Sequence, residues 1–232
     1  MSERPVRLGA ALFNGDHARL GDEITRLERA GLDFIHHDVF DGHFVPDLGF
    51  SPRTIAALRP LTPLPFEVHL GAAEPLRFVE SLAEAGTNLL LVHLESLTMP
   101  YEATCVIRQH GMRAGLVLTM GTPILLLEPL IPMVDAVLLL SRVTGESAGS
   151  PTYDARVLPR VRQLRQMIDA AGAAVDLQVA GSVKREHVPE LVAAGVTAIA
   201  FGGGLYKVPD MTAEVRAIRQ LIEDTGKDSK HG

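Results

Sequence analysis

The chain is poor in the features that mark export, membranes and nucleic acids. It has one cysteine, Cys105, in 232 residues. A single cysteine cannot close an internal disulfide, so the chain is expected in a reducing cytoplasm. Cys105 sits in "YEATCVIRQH", a helix-like segment, and is expected to pack in the core. No apolar run approaches the roughly 20 residues that cross a bilayer. The first residues, "MSERPVRLGAALFNG", carry no apolar signal-peptide core, so export is not expected. There is no basic stripe and the net charge is −6, which argues against nucleic acid as a partner. An acidic chain can still hold phosphate on backbone N–H groups at a helix start. No linker or break in composition divides the sequence. Residues 1–232 therefore read as one domain, with the polar stretch 224–232 as a disordered tail.

What the chain does have is an alternation. Short apolar runs recur at 6–12, 32–38, 64–70, 88–94, 113–119, 134–140, 174–180 and 196–202. Between them lie segments of helical period, such as Val157, Val161, Leu164, Ile168 and Met211, Val215, Ile218, Ile222. Several of these end in Ala-Gly before the next run, the usual helix stop: Ala30-Gly31, Ala85-Gly86, Ala171-Gly172 and Ala194-Gly195. Eight nearly continuous apolar strands alternating with helices predict a (β/α)8 TIM barrel. An open doubly wound sheet is the competing arrangement. In a barrel the active site lies at the C-terminal strand ends, so those positions carry the information.

Side chains alternate along a strand. On strand 2, Phe34, His36 and Asp38 share one face, while Asp33, Ile35 and His37 share the other. On strand 3, Glu67 and His69 share a face. Two imidazoles and a carboxylate at neighbouring strand ends form a candidate divalent-metal set: His36, Asp38 and His69. His37 is expected to face the helices. Asp41 and His43 fall in the following loop, where Asp41 has a turn-building alternative. His93 and Glu95 close strand 4 as mouth or rim residues. His17, His110, His187 and His231 are given no role. The loops after strands 7 and 8, "AGSVKREH" and "FGGGLYK", place Gly181, Ser182, Gly202, Gly203 and Gly204 where a barrel holds phosphate.

These residues resemble the ribulose-phosphate 3-epimerase family. "FNGDHARLGDEITRLERAGLDFIHHDVFDGHFVPDLGFSP" is similar to that family's N-terminal signature, and "FEVHL", "LLVHLES", "AGLVLTMGTP" and "VDAVLLLS" follow its strands 3 to 6 in order. The resemblance runs from about residue 8 to 206. It implies a ribulose-phosphate-binding barrel that inverts C3 of a ketopentose 5-phosphate through an enediolate. A divalent metal (Zn, Fe, Mn or Co) would be held by two histidines and two aspartates, and the two aspartates would exchange protons on opposite faces of the carbon. A homo-oligomer is likewise implied. Three ligands match His36, Asp38 and His69. The fourth position, the aspartate of the family's "VDGGV", is Ala180 in "VAGSV". Alanine can neither bind metal nor carry a proton.

Other departures accompany it. The serine of the family's first strand is Ala11, and methionines near the metal become Phe40, Gly71 and Leu140. The loop after strand 6, at 143–151, still offers Gly145 and Gly149. Three functions stay open at this point. One is a metal-dependent sugar-phosphate epimerase or isomerase with Asp38 as general base, in which a metal-held water, Ser182 or another mouth group replaces the missing acid. The second is another metal-assisted enediolate reaction, aldol cleavage or decarboxylation. The third is a sugar-phosphate-binding protein without turnover.

Overall fold

The eight apolar runs form eight strands, each within two residues of its expected bounds. They are β1 (Arg7–Ala11), β2 (Phe34–Phe40), β3 (Phe66–Gly71), β4 (Leu89–His93), β5 (Arg113–Leu118), β6 (Ala136–Leu140), β7 (Asp176–Ala180) and β8 (Ala198–Phe201). All pair in parallel in chain order, and β8 closes onto β1. The computed structural model describes residues 5–142 and 152–228. The barrel is closed, which sets aside the open sheet.

The strands are apolar on both sides because each face meets a separate core. Outside, Ile35, Val68, Leu70, Val92 and Leu139 pack on the helices. Those helices are α1 (Leu20–Arg29), α2 (Pro52–Leu58), α3 (Val79–Glu84), α4 (Pro100–Gln109), α5 (Val157–Ala170), α6 (Val188–Ala193), α7 (Gly203–Tyr206) and α8 (Met211–Asp228). Between β5 and β6 the chain runs as 3-10 turns, Ile124–Met133, because Pro129 and Pro132 each remove a helical N–H donor. Inside the barrel, Phe34, Leu89, Leu91, Val117, Leu138 and Leu140 meet Ala180, Ala198 and Ala200. The Ala-Gly stops behave as read: Gly31, Gly86, Gly172 and Gly195 all have positive φ.

Two expectations are corrected here. Cys105 is half-buried, since the inner face of α4 is taken by Ala103, Thr104 and Ile107. The stretch from 224 is helical as far as Asp228: α8 continues with Thr225 Oγ1 donating to the Leu221 carbonyl and Lys227 beside Asp224.

A polar layer closes the barrel's lower end. Glu67 points inward, 1% exposed, and accepts from Arg7 at 2.8 Å and from Gln178 at 3.1 Å. Arg7 also pairs with Asp176 at 3.0 Å, and Asp176 with Arg113 at 2.8 Å. A buried carboxylate is tolerable only with such partners. Phe34 lies across the lumen beside this layer, with Arg7 over its ring at 5.1 Å.

The ring of Phe34 fits because β1 offers Gly9 beside it. A Cβ on Gly9 would stand 2.2 Å from Phe34 Cε2. Phe34 is fully buried and has nowhere to retreat. Gly9→Ala is therefore expected to destabilise the fold by about 1–3 kcal/mol through overpacking. Urea unfolding checks this, and adding Phe34→Leu should return part of the loss.

Candidate active site

The site is assembled by the pairing of β2 with β3. Their register sets His36 beside Glu67 and Asp38 beside His69. With side chains alternating, His36, Asp38 and His69 all project into the barrel above Phe34. Asp38 Oδ1 lies 3.1 Å from His69 Nδ1 and 3.6 Å from His36 Nε2. One ligand atom from each of the three falls within 4.8 Å of the other two. Both rings are buried, and Asp38 keeps a small exposed edge toward the cavity. Two nitrogens and one carboxylate oxygen at this spacing could close on one divalent cation and leave positions open.

Electrostatics support the same grouping. Burial opposes the charge on Asp38, but the closeness of the His36 and His69 rings outweighs it and holds the carboxyl well below the usual carboxylate range. Burial lowers His69 to about 4, against the raising influence of Asp38. The neighbour His37 faces the helices as expected, edge-on to Phe66 with centroids 4.4 Å apart. Burial, with His36 close by, takes it to about 3, so it stays neutral and structural.

Opposite this set stands an apolar wall. Ala180 ends β7 between Leu140 on β6 and Ala200 on β8. Its carbonyl accepts from the Ser141 N–H at 2.9 Å and the Ser141 hydroxyl at 3.0 Å. Ala11, Leu140 and Ala200 line the cavity beside it. No carboxylate occupies the strand-7 position.

Phe40 and Gly71 prove to be one change rather than two. They are cross-strand partners, and a Cβ on Gly71 would stand 2.8 Å from the Phe40 ring. Phe40 in turn packs edge-on to His69, with centroids 5.3 Å apart.

One cavity of about 800 Å³ joins the His/Asp set to both glycine-rich loops. Gly181, Ser182, Gly202, Gly203 and Gly204 all line it. Gly181 has φ +110°, and Ser182, at φ +56°, is the one non-glycine residue with positive φ among the described residues. Gly203 lies against Asn14, which comes up from the end of β1. Gly145 and Gly149 fall outside the described residues.

Several mouth residues escaped the sequence reading. Arg142, Lys184 and Lys207 bring cationic side chains to the glycine end of the cavity. His187, given no role from sequence, lines the same cavity and stacks on Tyr153 at 3.8 Å. Lys184 and Lys207 lie in the two loops already singled out for glycine, so a cation count over those loops was the available signal. Asp41 is a turn builder: its carboxylate accepts the N–H groups of His43, Phe44 and Ala73. His43 takes part in that turn through its backbone. His93 and Glu95 are a buried ring and a half-buried carboxylate behind His69 rather than rim groups.

Comparison with known proteins agrees with this layout. The model of the ribulose-phosphate 3 epimerase family matches residues 7–206. Ribulose-phosphate 3-epimerase of Synechocystis is 36% identical over 216 residues, covering 92% of this chain and 93% of that protein. Ribulose-phosphate 3-epimerase of Bacillus subtilis is 34% identical, covering 92% and 98%. Among solved structures, KGPDC from Streptococcus mutans superposes with a TM-score of 0.72 at 13% identity, covering 96% of this chain and 99% of that one. That last likeness shows the barrel alone. A family match that spans all eight strands, with a relative 36% identical over 92% of the chain, places the chain in the ribulose-phosphate 3-epimerase family.

Proposed function

We propose that this family member is a metal-dependent sugar-phosphate epimerase or isomerase, acting on a ketose phosphate through an enediolate. The observation that carries the reading is a single cavity with His36, Asp38 and His69 at one end and the two glycine loops at the other. The donor set suits a divalent cation of the Zn, Fe, Mn or Co group: two imidazoles, a carboxylate held ionised, and a spacing within 4.8 Å. Bound there, the cation would supply carbonyl polarisation and offset charge on the enediolate oxygens.

This chain's own groups would do the rest. Backbone N–H groups around Gly181, Ser182, Gly202, Gly203 and Gly204 would hold the phosphate, helped by Arg142, Lys184 and Lys207. The sugar then extends toward β2 and β3. Asp38 would take the proton from the carbon next to the carbonyl, and the C–H electron pair would move into the enediolate. Return of a proton to the opposite face gives the epimer. At Ala180 that face meets methyl groups, so the return would come from elsewhere in the cavity, with the Ser182 hydroxyl among its polar groups. A shift of the proton between neighbouring carbons on one face needs Asp38 as its one carbon base, with the cation to hold the two oxygens while the hydroxyl proton passes from one to the other. The apolar wall at Ala11, Ala180 and Ala200 favours this second course as a component of the activity. A cytoplasmic homo-oligomer is part of the reading on the family resemblance; no helix among the described residues is long and apolar enough to cross a membrane.

Three outcomes test this. The metal-free protein should bind about one equivalent of Zn, Mn or Co, and His36→Ala and His69→Ala should abolish binding by titration. With D-ribulose 5-phosphate in deuterated water, NMR should show label entering C3 faster than xylulose 5-phosphate forms. Asp38→Asn should slow entry by about 10²–10⁴-fold. No label from ribulose 5-phosphate in a metal-loaded protein would overturn the substrate assignment. Ala180→Asp should raise xylulose 5-phosphate formation by at least about tenfold, the low side of what a positioned acid contributes. An unchanged rate in a folded, metal-loaded variant would count against this account of strand 7.

A further inference from the structure

Behind the His/Asp set lies a line of buried contacts that the reaction itself does not use. His69 Nε2 is 2.8 Å from His93 Nε2, and His93 Nδ1 is 3.3 Å from Glu95 Oε2. At the near end, His69 Nδ1 faces Asp38 Oδ1 at 3.1 Å. The order is therefore Glu95, His93, His69, Asp38. Both rings are enclosed, at 0% exposed for His93 and 3% for His69.

Proton counting constrains this line. Two neutral imidazoles carry two ring protons and must serve three contacts. The central nitrogen–nitrogen contact needs one. The other must go either to the Glu95 end or to the Asp38 end. Glu95 is fixed in place by its second oxygen: Oε1 accepts the Thr119 N–H at 2.8 Å, the Thr119 hydroxyl at 2.9 Å and the Thr122 hydroxyl. Three donors on Oε1 leave Oε2 as a pure acceptor facing His93 Nδ1. Burial works against this charge, but the bonds from His93, Thr122 and Thr119 outweigh it and hold Glu95 at about 2. The threonine donors hold Glu95 as an acceptor toward His93, so a proton is held at that end, whereas at the Asp38 end a cation can take its place.

We propose that His93 and Glu95 are positioning residues that fix His69 as its Nε2–H tautomer, so that its Nδ1 lone pair is presented to a divalent cation together with His36 and Asp38. The proposal rests on the reading of that set as a cation site. In this arrangement Glu95 accepts from His93 Nδ1, and His93 Nε2 accepts from His69 Nε2. A metal-bound histidine generally hands its other ring proton to a fixed acceptor, which orients the ring and raises its basicity. Here the acceptor is a second histidine, and the carboxylate one step further sets both.

Glu95→Gln tests the inference with little change of volume. The three donors on Oε1 oblige the amide carbonyl to take that place, so the NH2 replaces Oε2 and faces His93. A donor there reverses the line: His93 becomes the Nε2–H tautomer, His69 accepts at Nε2, and its Nδ1 carries the proton. Nitrogen-15 NMR on the metal-free wild type should find His69 protonated at Nε2, and on Glu95→Gln at Nδ1. Competition against a chromophoric chelator should show Zn²⁺ affinity weakened about 10–100-fold in the variant. A role confined to stability would lower the melting temperature and leave tautomer and affinity alone. An Nδ1–H tautomer in the metal-free wild type overturns the proposal, as does wild-type Zn²⁺ affinity in a folded Glu95→Gln. If the wild type binds no Zn²⁺, Mn²⁺ or Co²⁺, the cation-site reading fails, while the tautomer measurement still decides the role of Glu95.

Discussion

The register between β2 and β3 is the constraint from which the site follows. Because side chains alternate with a period of two, a slip of one residue would turn His36 and Asp38 toward the helices and bring His37 into the lumen. The register is held from below and from outside. Glu67, level with His36, is bound to Arg7 and Gln178, which lie on other strands. His37 and Val39, on the reverse face of β2, pack against Phe66, Phe50 and the outer core. Two hydrophobic cores and one buried ion network thus agree on a single alignment, and the convergence of three side chains on one point comes with it.

Much of this could be read from the sequence. The strands announced themselves as continuous apolar runs because both faces are buried, and the Ala-Gly stops marked the helix ends. The histidines and the aspartate of β2 and β3 were found by parity alone, since neighbouring parallel strands carry like positions to one level. What could not be read depends on contacts across several strands or on the fine course of a loop. His93 lies on the next strand to His69, but its 2.8 Å contact with that ring depends on the rotamers of both. His187 looked like a helix residue of no account until the loop after β7 laid it on Tyr153. The end of α8 was misjudged because polar composition was weighed above the helical period that runs through Ile222. Cys105 was misjudged for a related reason, since the buried stripe of α4 falls on its neighbours.

The departures from the family pattern are not scattered. Phe40 and Gly71 exchange volume across one strand pair, and the aromatic ring so admitted rests on His69. Ala180, Ala11 and Leu140 together make one side of the cavity smooth and apolar. The cationic side chains Arg142, Lys184 and Lys207 gather at the other end. The departures all lie at strand ends around the mouth, on β1, β2, β3, β6 and β7.

The filled lower end of the barrel has a consequence for traffic. Arg7, Glu67, Gln178 and the Phe34 ring fill the lower lumen with side chains. A sugar phosphate would reach the site through the cavity at the strand ends. A phosphorylated molecule in that doorway would slow, without stopping, the exchange of the reacting carbon's proton with bulk solvent. Wash-out of a labelled hydrogen would then carry the guest's residence time as well as the rate of bond breaking.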